Sequence, residues 1–290
     1  MNKVLKLYYS GGKKNNFNFG DSISPLIVSY LSGRKIIYAD IDSCDCVSIG
    51  SVIDKVLKKK WKRLLRLNFK PITILGTGSI GSNIITKNHN LSILSLRGPL
   101  TNNLFNNINN PILCDPGIII SSLIKKTIKR FTWGIIPHVF EKNLAILKEM
   151  QNTNKNCIII DPSNNNPLET ATLIASCNFI ISSSLHGLIA ADSLNIPHVW
   201  MKISNKIIGG NWKFNDYFLS MNNQLVEPLI INNLSAKSWE NNIQISDRKI
   251  LEKKINELPI TNYMKSKAIE FINNKKVIKK AKTKKSAKLS

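Results

Sequence analysis

The sequence predicts an α/β protein that contains two parallel β-sheets flanked by helices. Short runs of apolar and β-branched residues alternate with helix-like segments, which is the pattern of a parallel sheet covered by helices. A lysine-rich stretch over residues 122–131 interrupts this alternation, which then starts again, so the 290-residue chain divides into two halves of similar size. We therefore expect two Rossmann-like domains facing a cleft.

The first half begins with a strand and a well-defined helix. The predicted helix starts after Gly20-Asp21-Ser22 and ends at Gly33. Asp21 or Ser22 is the expected N-cap, because short polar side chains accept hydrogen bonds from the free N–H groups of a helix start, and Pro25 suits the first turn. The predicted strands of this half are Val4–Tyr8, Asp45–Ile49, Ile72–Leu75, Ser92–Leu96 and Ile112–Leu113.

The second half repeats the alternation of strands and helices. Its predicted elements are strand Trp133–Ile136, helix Glu141–Met150, strand Cys157–Ile160, helix Pro167–Ser176, strand Phe179–Ser182, a helix from Gly187 to Asn195 and strand Pro197–Met201. The predicted domains are therefore residues 1–125 and 126–235. Residues 236–274 predict C-terminal helices that cross back onto the first half, and residues 275–290, with eight lysines and no acid, predict a basic disordered tail.

Composition favours a soluble, cytoplasmic protein. No apolar run approaches the roughly 18 residues that a membrane span needs, and the apolar stretch at the N-terminus is too short for a signal peptide. The cysteines are scattered without the spacing of a zinc site, so we expect reduced thiols and no structural metal. They are Cys44, Cys46, Cys114, Cys157 and Cys177.

The formal net charge of +23 is concentrated in the tail and in residues 58–70, which carry seven basic residues and no acid. Within residues 55–70, apolar side chains recur at helical spacing and basic side chains occupy the other face. The apolar set is Leu57, Trp61, Leu64 and Leu65, and the basic set is Lys58, Lys59, Lys62, Arg63 and Arg66. Such a helix either lies in a membrane interface or packs on its own domain. No motif with stacking aromatic residues is present, so we expect no nucleic-acid partner.

The segment Ser182-Ser183-Ser184-Leu185-His186-Gly187 joins an apolar strand to a helix. A turn of this kind directs backbone N–H groups and hydroxyls to a helix N-terminus, where an anion is favoured. A histidine there donates to the anion or moves a proton. The alternative is a tight turn with a helix-capping serine.

The segment Gly76-Thr77-Gly78-Ser79-Ile80-Gly81 follows a predicted strand and matches the G-x-G-x-x-G pattern of dinucleotide-binding proteins. No long helical pattern follows it, and the residue about twenty positions on is Arg97 rather than the acid that would hold a ribose. We therefore expect a structural turn, or a loop that offers N–H groups to an anion, rather than a site for NAD.

Polar side chains also come directly after five predicted strands. They are Arg97, Asp115, His138, Asp161 and His186. The loop Asn18–Asp21 ends at the same edge of the first predicted sheet. Because the carboxyl ends of parallel strands line the ligand crevice of α/β proteins, these positions together predict a site. Arg97 has no acidic neighbour in sequence, and its planar fork suits a carboxylate or a phosphate.

Taken in order, these segments resemble the polysaccharide pyruvyl transferase family over about residues 15–220. The segments that carry the resemblance are NFGDSISPL (18–26), SIGSV (48–52), ILGTGSI (74–80), LRGPLT (96–101), CDPGII (114–119), GIIPH (134–138), IDPSN (160–164), ISSSLHGLIAADSLNIPHVW (181–200) and KFNDYF (213–218). The resemblance implies a fold similar to GT-B glycosyltransferases. It also implies transfer of pyruvate from phosphoenolpyruvate onto a sugar, as a ketal bridging two hydroxyls, in bacterial surface polysaccharide biosynthesis.

Under this resemblance, a sugar or a lipid-linked oligosaccharide is the acceptor, and residues 55–70 would hold the enzyme peripherally at the inner face of the membrane. No cofactor is expected, because arginine and lysine can neutralise the donor. The expected catalytic residues are His186, as the acid or as a ligand of the phosphate, and Asp21 or Asp115 as the base, with His138 as the second candidate for the role of His186. The expected substrate-binding residues are Arg97, Ser183, Ser184, His138, Lys202, Gly20 and Gly78. His186→Ala and Arg97→Ala are expected to abolish transfer with the melting temperature nearly unchanged.

Two other functions fit parts of the sequence. A GT-B-like glycosyltransferase would use a nucleotide sugar, although no carboxylate is clearly placed to hold its ribose. A non-enzymatic basic protein would bind a membrane or a nucleic acid through residues 58–70 and 275–290, but the polar residues collect at strand ends instead.

Overall fold

The computed structural model describes residues 4–12, 18–65, 67–81, 90–105, 111–222, 224–231 and 235–258. Within these residues, two β-sheets form, and every pair of neighbouring strands in them is parallel. The prediction of an α/β protein with two Rossmann-like parallel sheets is therefore confirmed. The predicted basic tail over residues 275–290 and the second part of the predicted C-terminal helical region, residues 259–274, lie outside the described residues.

The first sheet has the strand order β2-β1-β3-β4-β5-β6. Its strands are β1 (Leu5–Tyr8), β2 (Ile36–Tyr38), β3 (Cys46–Val47), β4 (Ile72–Leu75), β5 (Leu91–Leu96) and β6 (Ile112–Leu113). Its helices are α1 (Phe19–Ser32), α2 (Ile53–Leu65) and α3 (Pro99–Asn103), followed by a 3-10 helix (Pro116–Leu123). Strand β2 is missing from the sequence prediction, because its three residues are too few for a periodic signal.

The second sheet has the strand order β11-β10-β9-β7-β8. Its strands are β7 (Phe131–Ile136), β8 (Cys157–Ile159), β9 (Cys177–Ser182), β10 (His198–Lys202) and β11 (Leu229–Ile230). The helices are α4 (Ala145–Thr153), α5 (Pro167–Ala175), α6 (Leu185–Ser193), α7 (Trp212–Asn222), α8 (Ala236–Trp239) and α9 (Arg248–Glu257). No described helix has both the length and the apolar character that a bilayer span requires.

The start of α1 differs from the prediction. Asn18 occupies the N-cap, and the buried Phe19 donates its backbone N–H to the carbonyl of Pro162 in the second half over 2.7 Å. The expected cap at Asp21 or Ser22 is therefore wrong, since the helix begins earlier and Asp21 falls in its first turn. Pro25 lies inside the helix rather than in its first turn, so it offers no N–H to the carbonyl of Asp21.

The basic helix α2 is only partly the predicted amphipathic helix. Arg63, which the sequence places on the outer face, is buried with 5% exposure. Its guanidinium donates to the carbonyls of Ile41 and Cys44 over 3.1 and 2.9 Å. These carbonyls end the β2–β3 connection, so the arginine anchors α2 to the first sheet. The side chain of Trp61 lies outside the described residues.

The two halves share one apolar core. Phe19, Ile23 and Ile27 of α1 belong to the same cluster of buried side chains as Ile174 of α5 and Leu188 of α6. Burial of apolar surface contributes about 25 cal/mol per Å² removed from water, so a core continuous across the halves holds them together. Helix α9 adds Leu251, Ile255 and Leu258 to this cluster and contacts the 3-10 helix of the first half.

A buried polar network fastens α7 to the second half. The carboxylate of Asp192 in α6 accepts hydrogen bonds from the hydroxyls of Tyr217 (2.7 Å) and Ser246 (2.5 Å). His198 lies 2.9 Å from the same carboxylate through Nε2. A buried carboxylate is tolerated only when its oxygens are satisfied, and three partners achieve this here.

Asp192→Ala leaves those three polar groups without their acceptor, so we expect the free energy of unfolding to fall by at least about 3 kcal/mol. Urea denaturation measures the change. Tyr217→Phe serves as the matched control because it removes only one of the bonds, at a cost of about 1 kcal/mol. Equal losses in the two variants would contradict the network.

Candidate active site

Each sheet has one point at which the strand order reverses direction. In the first sheet it lies between β1 and β3, and in the second sheet between β7 and β9. The loops that leave such a pair of strands diverge to opposite sides of the sheet and open a crevice at the carboxyl ends, where α/β proteins bind ligands. The segments around Asp21 and Gly50 follow the first pair, and those around His138 and Ser183 follow the second.

The loops at the carboxyl edge of one sheet meet those of the other at Gly20 and His186, and we refer to these loops as the crevice of each sheet. A Cβ atom placed on Gly20 would lie 2.0 Å from Nδ1 of His186, which is closer than any real contact. The imidazole at the start of α6 therefore packs directly on the backbone at the start of α1. Only glycine permits this approach, which explains the residue at position 20.

His186 faces a buried carboxylate. Its Nε2 atom lies 3.7 Å from Oδ2 of Asp115, and the two side chains are 12% and 0% exposed. The other oxygen of Asp115 accepts a hydrogen bond of 2.8 Å from the N–H of Gly117 and so caps the 3-10 helix. Among the described residues, neither Nε2 of His186 nor Oδ2 of Asp115 has a hydrogen-bond partner. A slight rotation of the ring would join the two.

Asp21 supplies a second carboxylate to the same crevice. Removal from water raises its pKa to about 6, and the positive charges of His186, Lys55 and Lys213 only partly oppose that rise. Gly50, at φ +102°, leaves room for this side chain, because a Cβ there would lie 3.3 Å from Oδ1 of Asp21. A carboxylate with this pKa exchanges protons close to neutral pH.

Arg97 lies at the centre of the first half and is fully buried. Its Nε donates to Oδ2 of Asp216 over 2.9 Å, while the two terminal nitrogens donate to the hydroxyl of Ser51 and the carbonyl of Ser79, both over 2.7 Å. Gly78 packs against the guanidinium, with its notional Cβ 2.2 Å from Cζ. Gly78 thus serves this packing, and the fork of Arg97 is directed at protein acceptors rather than into the crevice.

The acidic partner of Arg97 comes from α7, 119 residues further along the chain. Asp216 also accepts from the N–H and the hydroxyl of Thr101, over 2.9 and 2.6 Å, and so satisfies the start of α3. Gly98 allows the close approach, since a Cβ there would lie 1.8 Å from the carbonyl oxygen of Asp216. Four segments of the resemblance therefore meet at this ion pair: SIGSV, ILGTGSI, LRGPLT and KFNDYF.

Lys213 is a cation that the sequence analysis did not single out. It precedes Asp216 by three residues and so lies on the same face of α7. Removal from water and the charge of Arg97 lower its pKa to about 8, whereas Asp21 and Glu141 act in the opposite direction. Within the described part of the chain, its ammonium has no ion pair or hydrogen bond, and it lies 5.4 Å from the ring centroid of Phe214. The KFNDYF segment was the only sequence signal.

Glu141 was also missed, because the predicted helix 141–150 begins four residues later, at Ala145. Its fully buried carboxylate accepts from the hydroxyls of Ser183 and Ser204, each over 2.5 Å. The hydroxyl of Ser183 in turn accepts from the backbone N–H of His138 over 2.9 Å. Glu141 thus holds the two loops of the second crevice together.

His138 adds a neutral imidazole at the edge of this crevice. Burial, together with the charges of Lys213 and His186, lowers its pKa to about 4. Its Nδ1 accepts from the N–H of Phe140 over 3.3 Å. A histidine with this pKa carries no charge at neutral pH, so it can offer a ligand only the hydrogen bonds of a neutral ring.

The remaining site residues predicted from the sequence are Ser184, Lys202 and Asp161. Ser184 is the N-cap of α6, its side chain makes no capping bond, and it is 5% exposed. Lys202 ends β10 and lines a small cavity of about 70 Å³ beside Ser204. Asp161 is exposed and pairs with Ser163 and Lys142, so this strand-end residue lies apart from the cluster. Residues 82–89, which follow Gly81, lie outside the described residues.

Comparison with known proteins shows the family to which this chain belongs. A model of the polysaccharide pyruvyl transferase family matches residues 5–205. The chain belongs to this family. A search of curated proteins also aligns 140 residues at 33% identity with an uncharacterized protein of Acanthamoeba polyphaga mimivirus, over 44% of this chain and 48% of that protein. The chain thus spans about half the length of the curated relative it matches.

The family match covers both strand reversal points and His186, Asp115, Asp21 and Arg97. It ends before Lys213 and Asp216 in α7. In this chain, helix α7 lies beyond the matched region and brings Asp216 to Arg97. The catalytic and substrate-binding roles assigned from the sequence remain predictions.

The burial of Arg97 contradicts the expectation that Arg97→Ala leaves the melting temperature nearly unchanged. The variant leaves Asp216 buried without its counter-ion, so we expect the free energy of unfolding to fall by about 3–5 kcal/mol. Urea denaturation tests this. A double variant, Arg97→Met with Asp216→Asn, removes both charges and should lose less. If Arg97→Ala unfolds at the same urea concentration as wild type, the expectation of an unchanged stability is correct.

Asp21 makes stability depend on pH in a defined direction. Because its folded pKa of about 6 exceeds the usual 3.8, the folded protein binds the proton more tightly than the unfolded chain. The resulting stabilisation is complete below pH about 4 and is lost as the pH rises through about 6, for a total of about 3 kcal/mol.

Asp21→Asn removes this dependence. We therefore expect the variant to gain stability over wild type as the pH is raised from 4 to 7, measured by chemical denaturation at each pH. Asp161→Asn, at an exposed carboxylate, is the matched control and should show no such gain. Parallel curves for wild type and Asp21→Asn would rule out the raised pKa.

Proposed function

We propose that this protein transfers a pyruvyl group from phosphoenolpyruvate onto two hydroxyls of a sugar, as a ketal. The reaction would take place in the cytoplasm, during assembly of a bacterial surface polysaccharide such as a capsule or exopolysaccharide. The observation that carries the proposal is the meeting of both strand reversal points at His186, with Asp115 behind the ring. Lys213 lies nearby, and its ammonium has no hydrogen bond or ion pair with the described residues. The two carboxyl edges would bound a cleft of the GT-B type.

The donor carries a carboxylate and a phosphate, so its site needs cationic groups and N–H donors that the protein does not already use. Lys213 meets this requirement better than Arg97, because Arg97 donates to Asp216, Ser51 and Ser79. The first turn of α6 adds backbone N–H groups that the side chain of Ser184 does not cap. We assign the donor anions to Lys213 and the start of α6.

His186 is the proposed general acid. Attack of the first hydroxyl on C2 of phosphoenolpyruvate requires a proton on the neighbouring methylene carbon, which becomes the methyl group of the ketal. Asp115 lies 3.7 Å from the ring and would balance the charge of the imidazolium. A positioned acid of this kind contributes about 10²–10⁴-fold to the rate.

Asp21 is the proposed general base. It accepts the proton of the attacking hydroxyl, and its pKa of about 6 leaves it ionised at neutral pH. The C2–O bond to phosphate then breaks, the second hydroxyl closes the ketal, and its proton leaves on the phosphate. One phosphate is released for each ketal formed, and no step is routed through a metal or a cofactor.

The decisive measurement is thermal stabilisation by phosphoenolpyruvate, compared with a panel of nucleotide sugars. A ligand present at about 100 times its dissociation constant stabilises the folded state by about 2.7 kcal/mol, which raises the melting temperature by several degrees. We expect phosphoenolpyruvate to do this with wild type, and Lys213→Gln and His186→Ala to weaken the response by about tenfold or more in affinity.

Lys35→Gln is the matched control, because Lys35 is an exposed lysine that precedes β2 at the opposite edge of the first sheet. It should respond as wild type does. Acceptor-dependent release of phosphate, followed by ³¹P NMR, tests the transfer itself. Stabilisation by a nucleotide sugar instead of phosphoenolpyruvate would identify a glycosyltransferase and refute the proposal.

A further inference from the structure

The chain presents three large apolar side chains to solvent where α2 ends. Leu65, Leu67 and Phe69 are 73%, 76% and 65% exposed. Leu65 ends α2, and Leu67 and Phe69 lie in the connection from α2 to β4, so the three side chains come from one short stretch of the chain. We name the described residues of this stretch, Leu65 and residues 67–70, the apolar tip. Exposed apolar side chains gathered at one place mark a contact surface rather than ordinary surface scatter.

Hydrogen bonds hold the backbone of the apolar tip. Arg63 donates to the carbonyl of Lys70 over 2.7 Å, and the N–H of Asn68 donates to the carbonyl of Arg63 over 3.0 Å. The side chain of Asn90 donates to the carbonyl of Phe69 over 2.7 Å. Leu67 adopts φ +51°, a strained angle for a leucine. These bonds hold the backbone at Asn68, Phe69 and Lys70, while the side chains of Leu67 and Phe69 remain exposed.

Basic residues flank the apolar tip along the chain. Lys58, Lys59 and Lys70 are exposed, and residues 55–71 contain no acid. Asp54, at the start of α2, accepts hydrogen bonds from Ser79 and Ile80 and so is engaged away from the tip. Apolar side chains beside lysines match the layered chemistry of an anionic bilayer, in which acidic headgroups cover an apolar interior.

We propose that the apolar tip docks on an anionic lipid bilayer, with Leu65, Leu67 and Phe69 in the headgroup boundary and the lysines on acidic headgroups. This surface is independent of the proposed transfer reaction. Helix α2 has 13 residues and runs from Ile53, near Ser51 at the active-site edge, to the opposite edge of the sheet. At 1.5 Å per residue, the tip lies about 20 Å along the helix axis from that edge.

The test is co-sedimentation of the full chain with vesicles made of equal parts phosphatidylcholine and phosphatidylglycerol. The test variant carries Leu65→Gln, Leu67→Asn and Phe69→Ser together, where Asn suits the positive φ at position 67. We expect it to partition at least about 100-fold more weakly than wild type, since each buried Leu or Phe side chain contributes about tenfold or more. Lys58→Gln with Lys59→Gln should lose about fivefold per lysine on these vesicles and nothing on neutral ones.

Ile128→Ser is the matched control, because Ile128 is 84% exposed beside Lys125 and Lys126 but lies far from the tip in sequence. It should bind vesicles as wild type does. Wild-type binding by the triple variant would assign lipid binding to the lysine tail and overturn the proposal, as would no binding of wild type at low salt. A change of oligomeric state confined to the triple variant, seen by light scattering, would instead make the tip a contact between copies.

Discussion

The ion pair between Arg97 and Asp216 is the constraint on which the rest of the site depends. It joins the loop after β5 to α7, while Tyr217, the next residue of the helix, binds Asp192 in the second half. One helix is thereby fastened to both sheets. Because Lys213 lies one turn earlier on the same helix, its position in the crevice follows from these two anchors.

The crevice holds ionisable groups in places that disfavour their charged forms, which a merely structural arrangement would avoid. Asp21 keeps a carboxylate and Lys213 an ammonium in a poorly hydrated place, and the pKa of each group shifts toward its neutral form. Oδ2 of Asp115 and Nε2 of His186 are left without hydrogen bonds in the described part of the chain. Perturbed and unsatisfied groups gathered in one place are typical of sites whose missing partner is a substrate.

Sequence periodicity predicted both sheets and the convergence of Asp115 with His186, because parallel strands end at one edge whatever the details of their packing. It did not predict the partner of Arg97, since no local pattern indicates a contact over 119 residues. Lys213 was missed for the same reason: α7 is placed by tertiary contacts rather than by its own periodicity. Arg63 was assigned to the wrong face, because a long polar side chain can turn inward to bind carbonyls that a helical projection does not include.

The long separation between Arg97 and its counter-ion has a consequence for synthesis. A ribosome completes the entire first sheet, and most of the second, before Asp216 is made. Until then, no carboxylate compensates the charge of the Arg97 guanidinium, and an uncompensated buried charge is strongly unfavourable. The first half is therefore unable to reach its final packing as it emerges. A nascent chain stalled near residue 125 would expose this region to proteases and chaperones, and assembly would be completed only when α7 arrives.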